Sequence, residues 1–529
     1  MTAFRATKGE FGYPERMGSP QDNQRASFPI TATILTATGI LMVLFSLQGQ
    51  ERMDTLRHAE SLAYGGELGL ATDLCSAYCD GHPRDVQSLR TCGRIAYWAG
   101  RLRLAERMLT NAYEQAPQDE RLLAEYLEIL ARTGRLARAR AVERALPTTL
   151  APEAALSRSR ALIAYYSGEP GQARQFMKAA MEGSTGNQEN IRLAAEIEEA
   201  GSPLLVAGIS LMKDDQPLGG FRPALGYSQH VKSWLNPGIQ VEFPFWISDT
   251  RRWHSAQATL SNELVLADLQ LRMFFSAGYS PWPADGTGAF IADLKLEKQF
   301  LRRWKLTTGW DHRPYLSTLS SIDKKVIAEN LHLALGYGSS GKWNGEIKAA
   351  RTAYPDDDNA VNSLSAWILS APFTQGSLKL SAGYGYSCGQ SLHDRFQSVI
   401  PLEQSLGPSW SPDPIAGRYD PYFTPRDLSV HAALAVLDYR VGERFTFSST
   451  LNYGIFAAAS HPYLYLDRAD DGSIFLARGF ADTRFHPAEV RISALFRASA
   501  RYSLHWEAVY AKTLYYSRMG SGLQLKVHL

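Results

Sequence analysis

The sequence is short of the features that mark a soluble enzyme or a nucleic-acid binder. Cysteine is scarce: Cys75, Cys79, Cys92 and Cys388 are too few and too irregular for a disulfide scaffold or a zinc site. Neither sign of charge dominates, with 55 Lys and Arg against 53 Asp and Glu, so no basic patch points to nucleic acid and no acidic tail to a solvating segment. His-Glu-x-x-His is missing, and the glycine-rich stretch Gly336-Tyr337-Gly338-Ser339-Ser340-Gly341 follows an expected strand and reads as an antiparallel turn rather than a phosphate loop. We therefore expect no enzyme, no cofactor and no resident metal. Asp356, Asp357 and Asp358 read better as a solvated turn than as a cation site. A mean hydropathy of −0.23 excludes a polytopic helical membrane protein. It does not exclude a membrane β-barrel, whose strands alternate and average to neutral. What is abundant is aromatic, with 25 Tyr and 11 Trp, which argues against disorder. The length is that of about three domains.

One long uncharged run, residues 28–47, lies between Arg25 and Glu51. Its length is just enough to span a bilayer. It reads as a signal-peptide core or an uncleaved anchor, with a buried helix the remaining alternative. Either of the first two carries the rest of the chain across the inner membrane. No Leu-x-x-Cys lipobox accompanies it, so no lipid anchor is expected.

Residues 51–203 repeat with a fixed period. Gly66, Gly100, Gly134 and Gly168 are evenly spaced, and each is followed at the same interval by an alanine: Ala71, Ala105, Ala139 and Ala173. Internal periodicity of this kind signals stacked helical hairpins. Glycine is needed where the backbone leaves helical angles, and alanine where two helices cross closely. The best copy is 85–118; the third departs, with Glu143 and Leu146 at normally apolar or small positions. The pattern resembles the tetratricopeptide repeat, which implies an α-solenoid that docks protein partners rather than doing chemistry. Cys75, Cys79 and Cys92 fall in the first two copies and read as buried small residues, with a disulfide from Cys92 as the alternative.

From about residue 204 the period changes to two, the signature of strands. In 378–386, Leu378, Leu380, Ala382, Tyr384 and Tyr386 alternate with Lys379, Ser381, Gly383 and Gly385. Residues 304–311, 445–455 and 502–510 behave alike. In 265–275 the alternation puts Asp268, Gln270 and Arg272 on the polar face of an expected strand. These runs reach the length that crosses a bilayer when tilted, and at about twenty residues per strand and turn the segment holds about sixteen. The expected fold is therefore two-domain α + β: a leader (1–50), a helical solenoid (51–203) and a transmembrane antiparallel β-barrel (204–529). Expected lumen-lining residues are Asp268, Gln270, Arg272, Asp293, Lys295, Glu297 and Gln299. The final residues, 522–529, alternate like a terminal strand.

One connection, 387–427, is too long and too proline-rich for a turn. Long ordered loops are usually functional. Trp410, Arg418, Tyr419, Tyr422 and Phe423 are its candidate constriction residues, the aromatics offering stacking faces to sugar. The stretch 419–428, Tyr-Asp-Pro-Tyr-Phe-Thr-Pro-Arg-Asp-Leu, looks like the segment before a strand in cellulose-export barrels. Together with the layout, it makes the chain resemble the exopolysaccharide-export outer-membrane proteins, of the cellulose-synthase outer-membrane subunit and poly-N-acetylglucosamine porin type. That resemblance implies a location in outer-membrane lipid with the repeats in the periplasm. It also implies synthase or export proteins as partners, a polysaccharide cargo and no nucleic acid. The competing resemblance is to surface-lipoprotein assembly modifiers, which carry protein; a surface receptor or structural barrel is a third reading.

Overall fold

The computed structural model describes residues 51–146, 154–183, 187–215, 218–283, 285–300, 303–338, 342–396, 402–407, 421–442, 444–514 and 516–529. The apolar run 28–47 lies outside them. The chain divides at Gly81 and His82 into two units. In the first, α1 (Glu51–Tyr64) and α2 (Leu68–Gly81) pack as a hairpin, with Ala59, Ala71 and Cys75 buried.

The second unit opens with α3 (Val86–Trp98), α4 (Leu102–Gln115), α5 (Glu120–Arg132), α6 (Leu136–Arg144), α7 (Ala154–Tyr166), α8 (Pro170–Glu182) and α9 (Gln188–Gly201). Asp85, Asp119 and Asn187 cap α3, α5 and α9 by accepting from backbone amides one turn in.

The sequence period is also a structural one. Gly66, Gly100, Gly134 and Gly168 all have positive φ, from 70° to 88°. After each, an amide bonds back to the same relative carbonyl: Glu67 to Leu62, Arg101 to Ala96, Arg135 to Leu130 and Glu169 to Ala164. This helix stop needs a left-handed residue, which glycine supplies without strain. Ala71, Ala105, Ala139 and Ala173 are each 0% exposed. At Gly93 a Cβ would come 2.8 Å from Leu109 Cγ, so α3 and α4 touch through bare backbone. The irregular third copy accommodates Glu143 by an ion pair to Arg160 at 3.3 Å, although burial raises its carboxyl pKa.

From Leu204 the described chain is almost entirely β. β1 (Leu204–Asp214), β2 (Gly219–Ser228) and β3 (Pro237–Glu242) precede a small hairpin, β4 (Phe245–Ile247) and β5 (Arg252–His254). β6 (Gln257–Leu266), β7 (Leu271–Pro281), β8 (Gly288–Phe300) and β9 (Trp304–Pro314) lead to a short helix, α10 (Leu319–Asp323). Next come β10 (Ile327–Tyr337), β11 (Asn344–Tyr354), β12 (Asn359–Leu369), β13 (Phe373–Gln375) and β14 (Leu378–Ser391). Beyond the long loop lie β15 (Arg426–Val441), β16 (Phe445–Arg468), β17 (Ile474–Phe485), β18 (Ala488–Arg497), β19 (Tyr502–Lys512) and β20 (Ser517–His528).

All the strand pairings are antiparallel, and β20 pairs with β1, Leu204 opposite His528, closing sixteen strands into a barrel. β4, β5, β13 and β17 extend individual strands beyond that wall. Cross-strand partners share a face, so the register sorts every wall residue. Ile209, Leu225, Leu260, Leu333, Leu451 and Leu523 point outward and stay exposed, the belt of a lipid-facing surface.

Two sequence expectations need correction. Residues 265–275 are not one strand: β6 ends at Leu266, Ala267–Leu269 forms a 3-10 turn, and Gln270 is left-handed at φ 50° before β7 begins. The apolar–polar alternation simply ran through a hairpin. The loop is also shorter than 387–427, because β14 continues to Ser391 and β15 starts at Arg426.

Candidate functional site

Arg272, Asp293, Lys295, Glu297 and Gln299 share the inward face of β7 and β8 with Glu263, Lys305, Asp311 and Arg313 from neighbouring strands. Their charges are paired. Arg272 lies 3.2 Å from Glu263, Lys295 and Lys305 lie 2.6 and 3.0 Å from Glu297, and Arg313 lies 3.3 and 3.0 Å from Asp293 and Asp311. Across the barrel, Arg491 bridges Glu489 and Glu507. Mutual compensation leaves a wall rich in hydrogen-bonding groups but with little net field. Phe274 breaks the polar pattern, facing inward opposite Glu263 and Lys295.

Asp268 and Gln270 are not on this wall. Both sit in the β6–β7 turn at the near end, where β1 begins, and both meet the helices. The Asp268 carboxylate lies 2.9 Å from the Arg140 guanidinium, and Gln270 Nε2 donates to the Gly134 carbonyl at 3.1 Å. The next helix bend docks in the same way: the Gly168 carbonyl lies 3.0 Å from His230 Nε2, and the Ser233 amide donates to Glu169. At Gly168 a Cβ would come within 3.3 Å of Ser233 and Val265. Gly134 and Gly168 thus both stop their helices and let the barrel's near turns approach. None of the four cysteines forms a disulfide among the described residues, and Cys75, Cys79 and Cys92 are buried.

At the far end a strap and the long loop pack over the inward-facing residues. Residues 315–326 leave β9 and place α10 against Leu218, Trp246 and Trp253, which belong to the start of β2 and the β4–β5 hairpin, several strands away around the ring. Ile322 is 0% and Trp246 1% exposed there. The helix is held locally by a capping box between Thr318 and Ser321. Arg251 grips Asp323 through 3.0 and 2.9 Å bonds, and Lys325 bonds Asp285. That contact with Lys325, aided by Thr287, holds the Asp285 pKa down at about 2. Burial pushes the Tyr315 phenol up to about 12. This strap is not visible in the sequence pattern; its one local signal is Thr318 before Ser321.

The long loop joins the strap. Tyr422 inserts among the inward-facing Ala328, Tyr354 and Val361. Its ring stacks on Tyr354 with centroids 3.4 Å apart, and Arg395, paired to Asp357, covers it. Tyr422 is 1% exposed, so it offers no stacking face to sugar; it anchors the loop instead. Thr318 Oγ1 donates to the Pro421 carbonyl at 2.7 Å, tying strap to loop. Phe423 is half-buried beside it. Farther along, Phe396 packs edge-on to Phe480, and Ser405 bonds Leu466, docking the loop on β16 and β17. Trp410, Arg418 and Tyr419 lie outside the described residues. Of the Asp356–Asp358 cluster, Asp357 is taken by Arg395.

A closed sixteen-strand barrel with an apolar outer belt, a polar lumen and an N-terminal helical region defines an outer-membrane β-barrel protein. No protein-family model and no curated protein matches the chain. Among solved structures it is similar to a bacterial polysaccharide outer membrane secretin at 8% identity, covering 62% of this chain and 99% of that one, with a TM-score of 0.43. It is similar to CdiB from Acinetobacter baumannii at 10% identity, covering 61% and 60%, with a TM-score of 0.32. OccK3 (OpdO) from Pseudomonas aeruginosa gives 10% identity, 62% and 95% coverage and a TM-score of 0.31. Likenesses this distant carry no argument about cargo.

Proposed function

We propose that the barrel is a gated outer-membrane channel that exports an exopolysaccharide, with tetratricopeptide-like repeats in the periplasm docking synthase or export partners at its near end. One observation carries the reading: above a lumen of compensated charge, a strap from β9 packs onto the β2 and β4–β5 side of the far mouth and is tied to the long loop. A general diffusion pore has no use for such a closure. An exporter needs one, to keep the outer membrane sealed between transport events. Paired charges with many hydrogen-bonding groups suit a long, weakly charged, hydroxyl-rich chain better than a polyanion, which would favour one sign of charge. The repeat bends engage the near turns through polar contacts and so fix the helices beside the entrance.

The test is capture of cargo. Affinity-purified full-length protein from cells, analysed for both bound carbohydrate and bound protein, should carry polysaccharide. Co-purifying surface lipoprotein without polysaccharide would favour the assembly-modifier reading and contradict this one.

A further inference from the structure

Past the wall, β16 continues from Ala457 to Arg468 and pairs there with β17. Ala458 is opposite both Ser429 and Arg484, and Ser429 is opposite Cys388, which shares the outward face of β14 with Tyr384 and Tyr386. Arg484 therefore faces outward, as do Arg478, opposite Leu464, and Arg426, opposite Ser460. Farther round the ring Arg351 is outward as well, opposite the exposed Leu331. Its other neighbour, Asn362, is opposite Gln390, one position beyond the Gly389–Leu428 pair. All four arginines are exposed.

Their charge is uncompensated. In the lumen Arg272, Arg313 and Arg491 each meet a carboxylate, whereas none of these four forms an ion pair among the described residues. Three are held against rings instead: Arg426 Cζ lies 4.5 Å from the Phe480 centroid, Arg478 Cζ 5.1 Å from Phe396 and Arg484 Cζ 6.0 Å from Phe456. Phe396 and Phe480 pack edge-on at 5.3 Å. Their height is equally specific. Tyr384, Tyr453 and Phe456 stay 44%, 46% and 42% exposed, a far girdle of outward aromatics. Arg484, opposite Ala458, stands just beyond Phe456. At the near end of the same strands the outward pairs are Leu378–Tyr439 and Phe445–Phe496, without charge. In this sector one rim is basic and the other apolar, an asymmetry that suits two leaflets of different charge.

We propose that Arg351, Arg426 and Arg484, with Arg478 above them, bind the phosphate groups of a phosphorylated glycolipid in the outer leaflet. The occupant follows from their outward orientation, their place past the far aromatics, where headgroups lie, and their lack of carboxylate partners. Guanidinium forks match phosphate oxygens two at a time. A bridging lipid would brace the end of β15, where the register with β16 shifts between Arg426 and Ser429. This assignment rests on the export reading for orientation alone, with the helices in the periplasm and the far rim outside.

The test titrates full-length protein in detergent with bisphosphorylated lipid A, with the same lipid stripped of phosphate, and with inorganic phosphate. Wild type is compared with Arg351→Gln/Arg426→Gln/Arg484→Gln and with the matching triple lysine replacement, heat-modifiable mobility confirming a folded barrel. Wild type should bind the phosphorylated lipid about tenfold more tightly than the stripped one. The glutamine triple should lose that preference and the lysine triple keep part of it. An undiminished preference in the glutamine triple, or none in wild type, would overturn the site. Displacement of lipid A by an equal concentration of inorganic phosphate would overturn the lipid as occupant. A second arm checks orientation: Asp470→Cys, in the turn joining β16 to β17, should react with a membrane-impermeant maleimide on intact cells, above the wild-type background. Labelling only after permeabilisation would overturn this proposal and the export reading together. Failed lipid binding with surface labelling intact removes the lipid site alone. Captured lipoprotein, with labelling and phosphate-dependent binding intact, removes export alone.

Discussion

At the near rim, short turns meet helix bends through a few polar contacts, one exposed and two part-buried: Asp268 with Arg140, Gln270 with the Gly134 carbonyl, and His230 with the Gly168 carbonyl. At the far rim, long connections meet one another through buried aromatic and aliphatic side chains: Ile322 against Trp246 and Trp253, and Tyr422 against Tyr354. The near contacts cost little to break individually, since exposed ion pairs contribute about 0.2–1 kcal/mol. The far contacts are packed cores, where truncation leaves a cavity. The helices are therefore positioned by several weak bonds, whereas the far connections are held by apolar packing.

Substitutions can break this contrast from either side. Trp246→Ala removes the more buried of the two tryptophans in the strap's dock and should destabilise its packing by about 3–5 kcal/mol, like other large-to-small core changes. Loss of amide-exchange protection across 315–326, with the wall strands still protected, would register it. Tyr422→Ala should fall at the lower end of the same range, read from protection of Tyr354 and its neighbours. Ala105→Trp overpacks a helix crossing and should cost about 1–3 kcal/mol. A lower melting temperature of the helical circular-dichroism signal, with unaltered heat-modifiable mobility of the barrel, is the expected outcome.

Acid supplies a milder perturbation. The Asp285 carboxylate is held at about 2, below its usual 3.8, by its bonds to Lys325 and Thr287. A depressed carboxylate stabilises the folded state above its unfolded pKa, and that contribution is lost as pH falls through the folded value. Channel current should therefore rise between about pH 4 and pH 2, and Asp285→Asn should flatten that step. Smallest of all, a double-mutant cycle on Arg140 and Asp268 should return about 0.2–1 kcal/mol. A coupling of several kcal/mol would mean that the near rim is not the weakly held side.

Much of the architecture was legible in the sequence because two periodicities enforce it. A bilayer demands apolar residues at every second strand position, and a helix crossing demands small residues at each repeat. The same simplicity misled at 265–275. There Ala267, Asp268, Leu269 and Gln270 continue the alternation through a turn, and the left-handed residue is glutamine rather than glycine, so nothing local announced the bend. The strap was unreadable for another reason: α10 is too short for an apolar period, and its partners Leu218, Trp246 and Trp253 lie far away in sequence. Tyr422 looked like a ligand platform because exposed and buried tyrosines share the same local sequence. Only Tyr354, from a distant strand, shows it to be an anchor.

Single-channel conductance in planar bilayers tests the central claim most directly, comparing wild type with a variant whose residues 317–324 are replaced by a Gly–Ser linker. A mouth closed by the strap predicts a nearly silent wild type and a large, steady conductance in the variant, with both proteins equally heat-modifiable. Wild type conducting as an open sixteen-strand pore, unchanged by loss of the strap, would contradict the account.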